Sequence, residues 1–198
     1  MARRSTVLFI VVVAAALFRC AAADALPVRG DVVRTGGDGT LTLYRPDKNE
    51  RATFVYLDKK GRLDIHALDR IARFFRCRLT DEVHDISPEL IRTIDAISDR
   101  FGGKEVEIIS GYRSPTRNAL MRRQGRHVAK NSLHMVGMAA DIEIDGVAPA
   151  AIRNAAYEMR RGGVGYYGSR SFVHVDAGPL RAWGWRPPTS NRTAAATK

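Results

Sequence analysis

Two short segments in the last third of the chain carry polar residues on strand periodicity, and they constrain the fold more than any other feature. Ala139 to Ile144 alternates, with Ala140, Ile142 and Ile144 on one side and Asp141, Glu143 and then Asp145 on the other. Phe172-Val173-His174-Val175-Asp176 alternates in the same way, so His174 and Asp176 share the face opposite Val173 and Val175. Two polar groups on one face of an apolar strand need a partner or an ion. A sheet is therefore required whose one face packs on apolar residues and whose other, concave face can carry Asp141 and His174.

A further imidazole stands just upstream, in Ser132-Leu133-His134-Met135-Val136-Gly137-Met138-Ala139-Ala140-Asp141. The spacing from His134 to Asp141 is too long for neighbouring turns of one helix. Gly137 allows a tight turn between them, so a loop running into a strand can bring both side chains to one ion. Two histidines and one aspartate make a three-ligand set that leaves Zn2+ an open position for water, the arrangement of hydrolytic zinc sites. A plainer reading is also open: His134 as a turn histidine, Asp141 as a capped surface acid, and His174 as a core histidine bonded to Asp176. Asp176 has the right facing for a general base. Arg113, in Ser110-Gly111-Tyr112-Arg113-Ser114-Pro115, follows a strand and precedes a helix, where a guanidinium can clamp a substrate carboxylate or simply cap a loop at the surface. His66, His84 and His127 lack acid partners at ligand spacing and read as surface residues. Trp183 and Trp185 read as closing the core. No Gly-x-Ser-x-Gly elbow and no phosphate loop occur.

The remaining elements are legible from turns and caps. Thr40–Tyr44 and Arg51–Tyr56 form a hairpin around Pro46-Asp47-Lys48-Asn49. Asp64 to Cys77 has apolar residues at helical spacing. Ser87-Pro88-Glu89 opens a second helix that stops near Gly102-Gly103, and Ser114-Pro115 opens a third. Val106–Ile109 is a short strand, residues 149–161 a helix, and Gly162–Tyr167 a Gly-rich strand. Helices first and strands clustered late favour an α+β fold, with helices packed on a small antiparallel sheet.

The chain of 198 residues suffices for one domain. Arg3, Arg4, the apolar run Val7–Phe18 and the small residues Ala21–Ala25 read as an export signal over residues 1–23, with an uncleaved membrane anchor as the alternative. A flexible lead (24–39), a domain (40–185) and a disordered tail (186–198) complete the expected organisation. Cleavage would remove Cys20 and leave Cys77 alone, so packing rather than a disulfide must hold the domain. The net charge of +11 falls to about +8 without the three arginines of the leader. That excess suits a polyanionic partner such as a cell wall. No basic run interleaved with aromatics points to nucleic acid. Nothing requires stable membrane insertion after cleavage, and a monomer is expected.

Five motifs in order resemble those of the murein endopeptidase K-like zinc peptidases of the D-alanyl-D-alanine carboxypeptidase superfamily. They are Ser110–Ser114, Asn131–His134, Gly137–Asp141, Gly162–Tyr167 and Phe172–Pro179, and the likeness extends from about Leu41 to Trp183. The resemblance implies a hedgehog/D-Ala-D-Ala-peptidase-like fold and a periplasmic zinc peptidase acting on peptidoglycan stems. It implies His134, Asp141 and His174 as metal ligands, Arg113 as the arginine facing substrate, and crosslinks between two diaminopimelate residues as the bond cut. Ser132 and either Tyr166 or Tyr167 would also face substrate; strand alternation allows only one of the two tyrosines, and Tyr166 is the one expected. One departure matters. Many superfamily members carry an acid three residues before the last histidine as catalytic base, and here that residue is Ser171. Asp176 is the expected substitute. The departure keeps open a non-catalytic, zinc-containing peptidoglycan-binding domain, and a stem-trimming carboxypeptidase is a further alternative.

Overall fold

The computed structural model describes residues 37–126, 128–168 and 170–187. The expected export segment, nearly all of the lead and most of the tail lie outside the described residues, as does His127. Among the described residues no helix is long and apolar enough to cross a membrane.

The described residues open with the expected hairpin, β1 (Thr40–Arg45) and β2 (Glu50–Val55), paired from Thr40 with Val55 to Arg45 with Glu50. Helix α1 (Ile65–Phe74) starts where the Asp64 carboxylate accepts from the backbone N–H groups of His66 and Ala67. It ends before the expected Cys77, which is buried as a free thiol. Helix α2 (Pro88–Arg100) has Pro88 in its first turn, but the hydroxyl of Ser87 donates to Glu89 at 2.8 Å instead of capping the backbone. Strand β3 (Val106–Ser110), helix α3 (Pro115–Arg123), strand β4 (Ala139–Ile144) and helix α4 (Pro149–Met159) follow. The sheet is completed by β5 (Gly163–Tyr166), β6 (Val173–Asp176) and β7 (Arg181–Trp183).

The sheet corrects the sequence expectation. It is neither small nor purely antiparallel: among the described residues seven strands run in the order β2-β1-β3-β4-β6-β5-β7, and the β1–β3 and β5–β7 pairings are parallel. The first parallel pair arises because α1 and α2 lie between β1 and β3 in sequence, and such a crossover can return the chain in its starting direction. The second depends on β7, a three-residue strand with no alternation to reveal it.

Helices α2 and α4 pack on the sheet, and the face they meet is the apolar one. Leu90, Ile91, Ile94 and Ile97 of α2 and Ile152 of α4 join Leu41, Leu43, Val106, Ile108, Ala140, Ile142, Val173 and Val175 in one core. At the edge of that core Asp95 of α2 is fully buried. Its Oδ2 accepts from the Tyr56 hydroxyl at 2.6 Å and from the Gly39 N–H at 3.0 Å. This closes the start of the hairpin onto α2. The other side of the central strands is left to the polar residues.

Candidate active site

Register puts the polar residues together. Asp141 of β4 pairs directly with His174 of β6, and His174 pairs in turn with Gly165 of β5. The third member arrives on a 3-10 turn, Leu133–Val136, which lies just before β4. Gly137 ends that turn with φ +66°, and a Cβ there would run into the carbonyl oxygen of Asp85, so the reversal requires glycine. The result is a compact triad. His134 Nε2 lies 3.2 Å from His174 Nδ1 and 3.4 Å from Asp141 Oδ1, and His174 Nδ1 lies 3.0 Å from Asp141 Oδ1. All three residues are buried.

The outer nitrogen of each histidine is already committed. His134 Nδ1 lies 2.8 Å from the carbonyl oxygen of Gly111, to which only an N–H can bond. His174 Nε2 lies 3.1 Å from Asp176 Oδ2. With both imidazoles neutral, each inner nitrogen therefore points a lone pair at the other and at a carboxylate oxygen. Lone pairs do not bond to one another, so this donor set fits a cation at its centre. Two imidazoles and a carboxylate suit zinc, with the outer partners fixing the tautomers as in metal sites generally. Electrostatics agree. Burial, which alone would raise Asp141, is outweighed by His134 and His174, and its carboxyl stays far below the ordinary range. Burial pushes His134 down against the pull of Asp141; for His174 burial is outweighed by the bonds to Asp141 and Asp176, which push it up, so the triad draws positive charge, whether a proton or a cation.

Asp176 stands behind this triad. Its Oδ1 accepts from the N–H groups of Gly163 (3.0 Å) and Gly178 (2.8 Å), and its Oδ2 from His174 and from Arg181 Nη2 (2.7 Å). The carboxylate is buried and does not line the cleft. All of its contacts hold it as an acceptor on the far side of His174, the geometry of an orienting group.

The triad lies at the wall of an open cleft of about 1090 Å³. Ser132 and Arg113 line it, as the sequence suggested. Arg113 is buried, with Nη2 3.7 Å from Asp141 Oδ2 and an Nε that has no partner. Desolvation lowers its pKa. Tyr166 is placed elsewhere: the Arg153 guanidinium covers its ring at 4.6 Å and Trp185 meets it edge-on, while Tyr167 faces the cleft. Trp183 also faces the cleft rather than closing the core. Its ring lies 5.1 Å from that of His174, and its Nε1 donates to the Tyr167 hydroxyl at 3.1 Å. Gly165 makes room for this contact, since a Cβ there would come within 2.5 Å of the indole. His66 is exposed and His84 stacks on Tyr112, and neither belongs to the triad. Sequence reasoning did not single out Arg126, Arg170, Arg181 or Phe172, which also line the cleft. They sit in turns or at strand ends, where no periodicity marks a facing.

A family model described as Peptidoglycan L,D-endopeptidase MepK matches residues 34–183. A solved structure, Serratia marcescens L-Ala D-Glu endopeptidase ChiX, overlays 61% of this chain and 93% of its own at a TM-score of 0.38 and 18% identity. The probable peptidoglycan L,D-endopeptidase MepK of Haemophilus influenzae is 42% identical over 154 residues, 77% of this chain and 82% of that protein. Peptidoglycan L,D-endopeptidase MepK of Escherichia coli K12 is 39% identical over 144 residues, 72% and 79% of the two chains. With that span of matched residues and identity along most of both relatives, the chain belongs to the MepK family of peptidoglycan L,D-endopeptidases within the M15 metallopeptidases.

Proposed function

We propose that this protein is an exported, zinc-dependent endopeptidase that hydrolyses peptidoglycan crosslinks between two diaminopimelate residues, through a site in the domain spanning residues 40–185. One observation carries the reading: two imidazole lone pairs and a carboxylate oxygen converge within 3.0–3.4 Å at the wall of an arginine-lined cleft. The names of the relatives point to the same substrate, and the leader sequence and positive charge suit the cell envelope.

His134, Asp141 and His174 would hold the zinc. When bound, the ion supplies Lewis acidity that makes water nucleophilic near neutral pH and stabilises charge developing on the carbonyl oxygen. The protein's own groups do the rest. Asp176 and the Gly111 carbonyl hold the two imidazoles in the tautomers that face inward. Arg113 steadies Asp141, and its guanidinium at the cleft wall is placed to meet a carboxylate of the stem beside the scissile bond. Ser132 and Tyr167 line the path of the peptide, and Trp183 shields His174 from solvent. Asp176 is a positioning residue in this scheme and not the base, because all its oxygen contacts are taken.

That saturation favours a second reading. Among the described residues Asp141 is the cleft's only carboxylate, so a zinc-bearing module that binds peptidoglycan without cutting it fits the same geometry. Digestion of crosslinked peptidoglycan with the zinc-loaded protein, followed by muropeptide chromatography beside a chelator control, separates the readings. Chelator-sensitive conversion of diaminopimelate-linked dimers to monomers is expected. Loss of a terminal residue without loss of dimers would mean a carboxypeptidase, and an unchanged profile with zinc bound would leave binding alone.

A further inference from the structure

The cleft is far more basic than its chemistry at the triad demands. Arg113, Arg126, Arg170 and Arg181 line it, against the single carboxylate of Asp141. Arg181 is paired with Asp176, and Arg113 lies beside Asp141. Arg126 and Arg170 also line the cleft and have no ion-pair partner among the described residues. The two free arginines approach from different segments. Arg126 lies between α3 and the turn that carries His134, and Arg170 lies between β5 and the strand that carries His174. Arg170 rests against the Phe172 ring at 5.8 Å, which limits where its guanidinium points. Arg126 is close enough to Arg113 for mutual repulsion to add to the desolvation that lowers the Arg113 pKa. Like charges gathered on a partly apolar cleft concentrate a positive field, and an anionic ligand relieves it.

We infer that Arg126 and Arg170 are specificity-determining residues that bind free carboxylates of the peptide on either side of the scissile bond, so that the enzyme selects crosslinks whose carboxylates are not amidated. This rests on the crosslink-hydrolase reading above. A crosslink joining two diaminopimelate residues keeps a carboxylate beside the scissile nitrogen and another on the far carbon of the residue that gives the carbonyl. Arg113, next to the triad, can hold only the nearer one. The forked guanidinium suits the flat carboxylate, while a carboxamide has no charge and offers one acceptor oxygen instead of two.

The test compares two purified dimers, one with free diaminopimelate carboxylates and one with those groups amidated, as substrates for wild type, Arg126→Gln, Arg170→Gln and Arg170→Lys. Both arginines are exposed, so the variants are expected to fold. Arg62→Gln, which alters a surface pair with Asp58, serves as a charge control. Wild type is expected to cut the free dimer about tenfold to hundredfold faster in kcat/KM than the amidated one, the size of one or two lost charge-assisted bonds. In the glutamine variants that ratio should shrink through loss on the free dimer, chiefly in KM. Arg170→Lys should recover part of it, and Arg62→Gln should keep it whole. Equal cleavage of both dimers by wild type would overturn the inference while leaving the crosslink-hydrolase reading intact. Cleavage of neither dimer would overturn that reading and this inference with it.

Discussion

Of the three carboxylates buried among the described residues, Asp141 and Asp95 are opposites. Asp141 sits between two imidazoles and beside a guanidinium, and its carboxyl stays ionised far below the ordinary range. Among the described residues Asp95 has no cation against it. It takes hydrogen bonds from Tyr56 and Gly39 on one oxygen, leaves the other without a partner, and has Asp38 and Asp99 nearby. Burial, helped by those acids, pushes its carboxyl up to about 6. Burial thus goes with opposite charge preferences in the two. A carboxylate kept ionised inside a protein marks a place built for cations, whereas one that tends to neutrality is serving as a hydrogen-bond acceptor in the scaffold.

The largest effect should come from removing charge at the first of these. Asp141→Asn keeps the shape and removes the anion, so zinc titration should find no stoichiometric site and crosslink hydrolysis should fall to the chelator background. Retention of both metal and activity would end the contrast drawn here. Asp176→Asn is expected to cost about 10- to 100-fold in metal affinity or activity, the usual range for a partner of a metal-binding histidine. A general base would behave differently, with zinc affinity intact and only the rate lost, and a side-by-side titration and rate measurement distinguishes the two. Gly165→Ala pushes a methyl into the Trp183 indole. It should lower activity less than Asp176→Asn and leave zinc stoichiometry at one. Loss of zinc in this variant would mean that Trp183 governs the ligands themselves.

The smallest effect belongs to Asp95 and appears in stability rather than activity. Its carboxyl ionises near 3.8 in a free chain and at about 6 in the fold. Between those values the folded protein holds the extra proton, so this group's contribution to stability falls as pH rises from about 4 to about 6 and is level above that. Asp95→Asn should remove that slope. Thermal melts of both proteins at pH 4, 5 and 7 would show the variant gaining on wild type as pH rises, and parallel curves would refute the assignment.

Much of the site was legible because strands β4 and β6 advertise their facing. Period-two alternation put Asp141 and His174 on the reverse of an apolar surface, and two such strands pair readily. His134 was legible by type and by the glycine after it. The sheet was less so. Parallel partners depend on where a long crossover lands, and no local signal in β1 or β3 states it. Asp176 shows the limit most clearly: alternation gave its side of the strand, but its role depends on the N–H groups of Gly163 and Gly178 and on Arg181, which only the folded backbone brings to it. The tyrosines illustrate a one-residue ambiguity. Tyr166 and Tyr167 differ by one step along a strand end, and that step decides which faces the cleft.

The gap at Gly165 also has an optical consequence. The chain has only two tryptophans. Trp185 is packed among Tyr157, Tyr166 and Arg153, while Trp183 lies against the ring of His174. An indole beside an imidazole changes its emission when that imidazole gains a proton or gives its lone pair to a metal. A Trp185→Phe protein would therefore carry a single emitter placed against the triad, and its fluorescence would report the filling of the site without any added label.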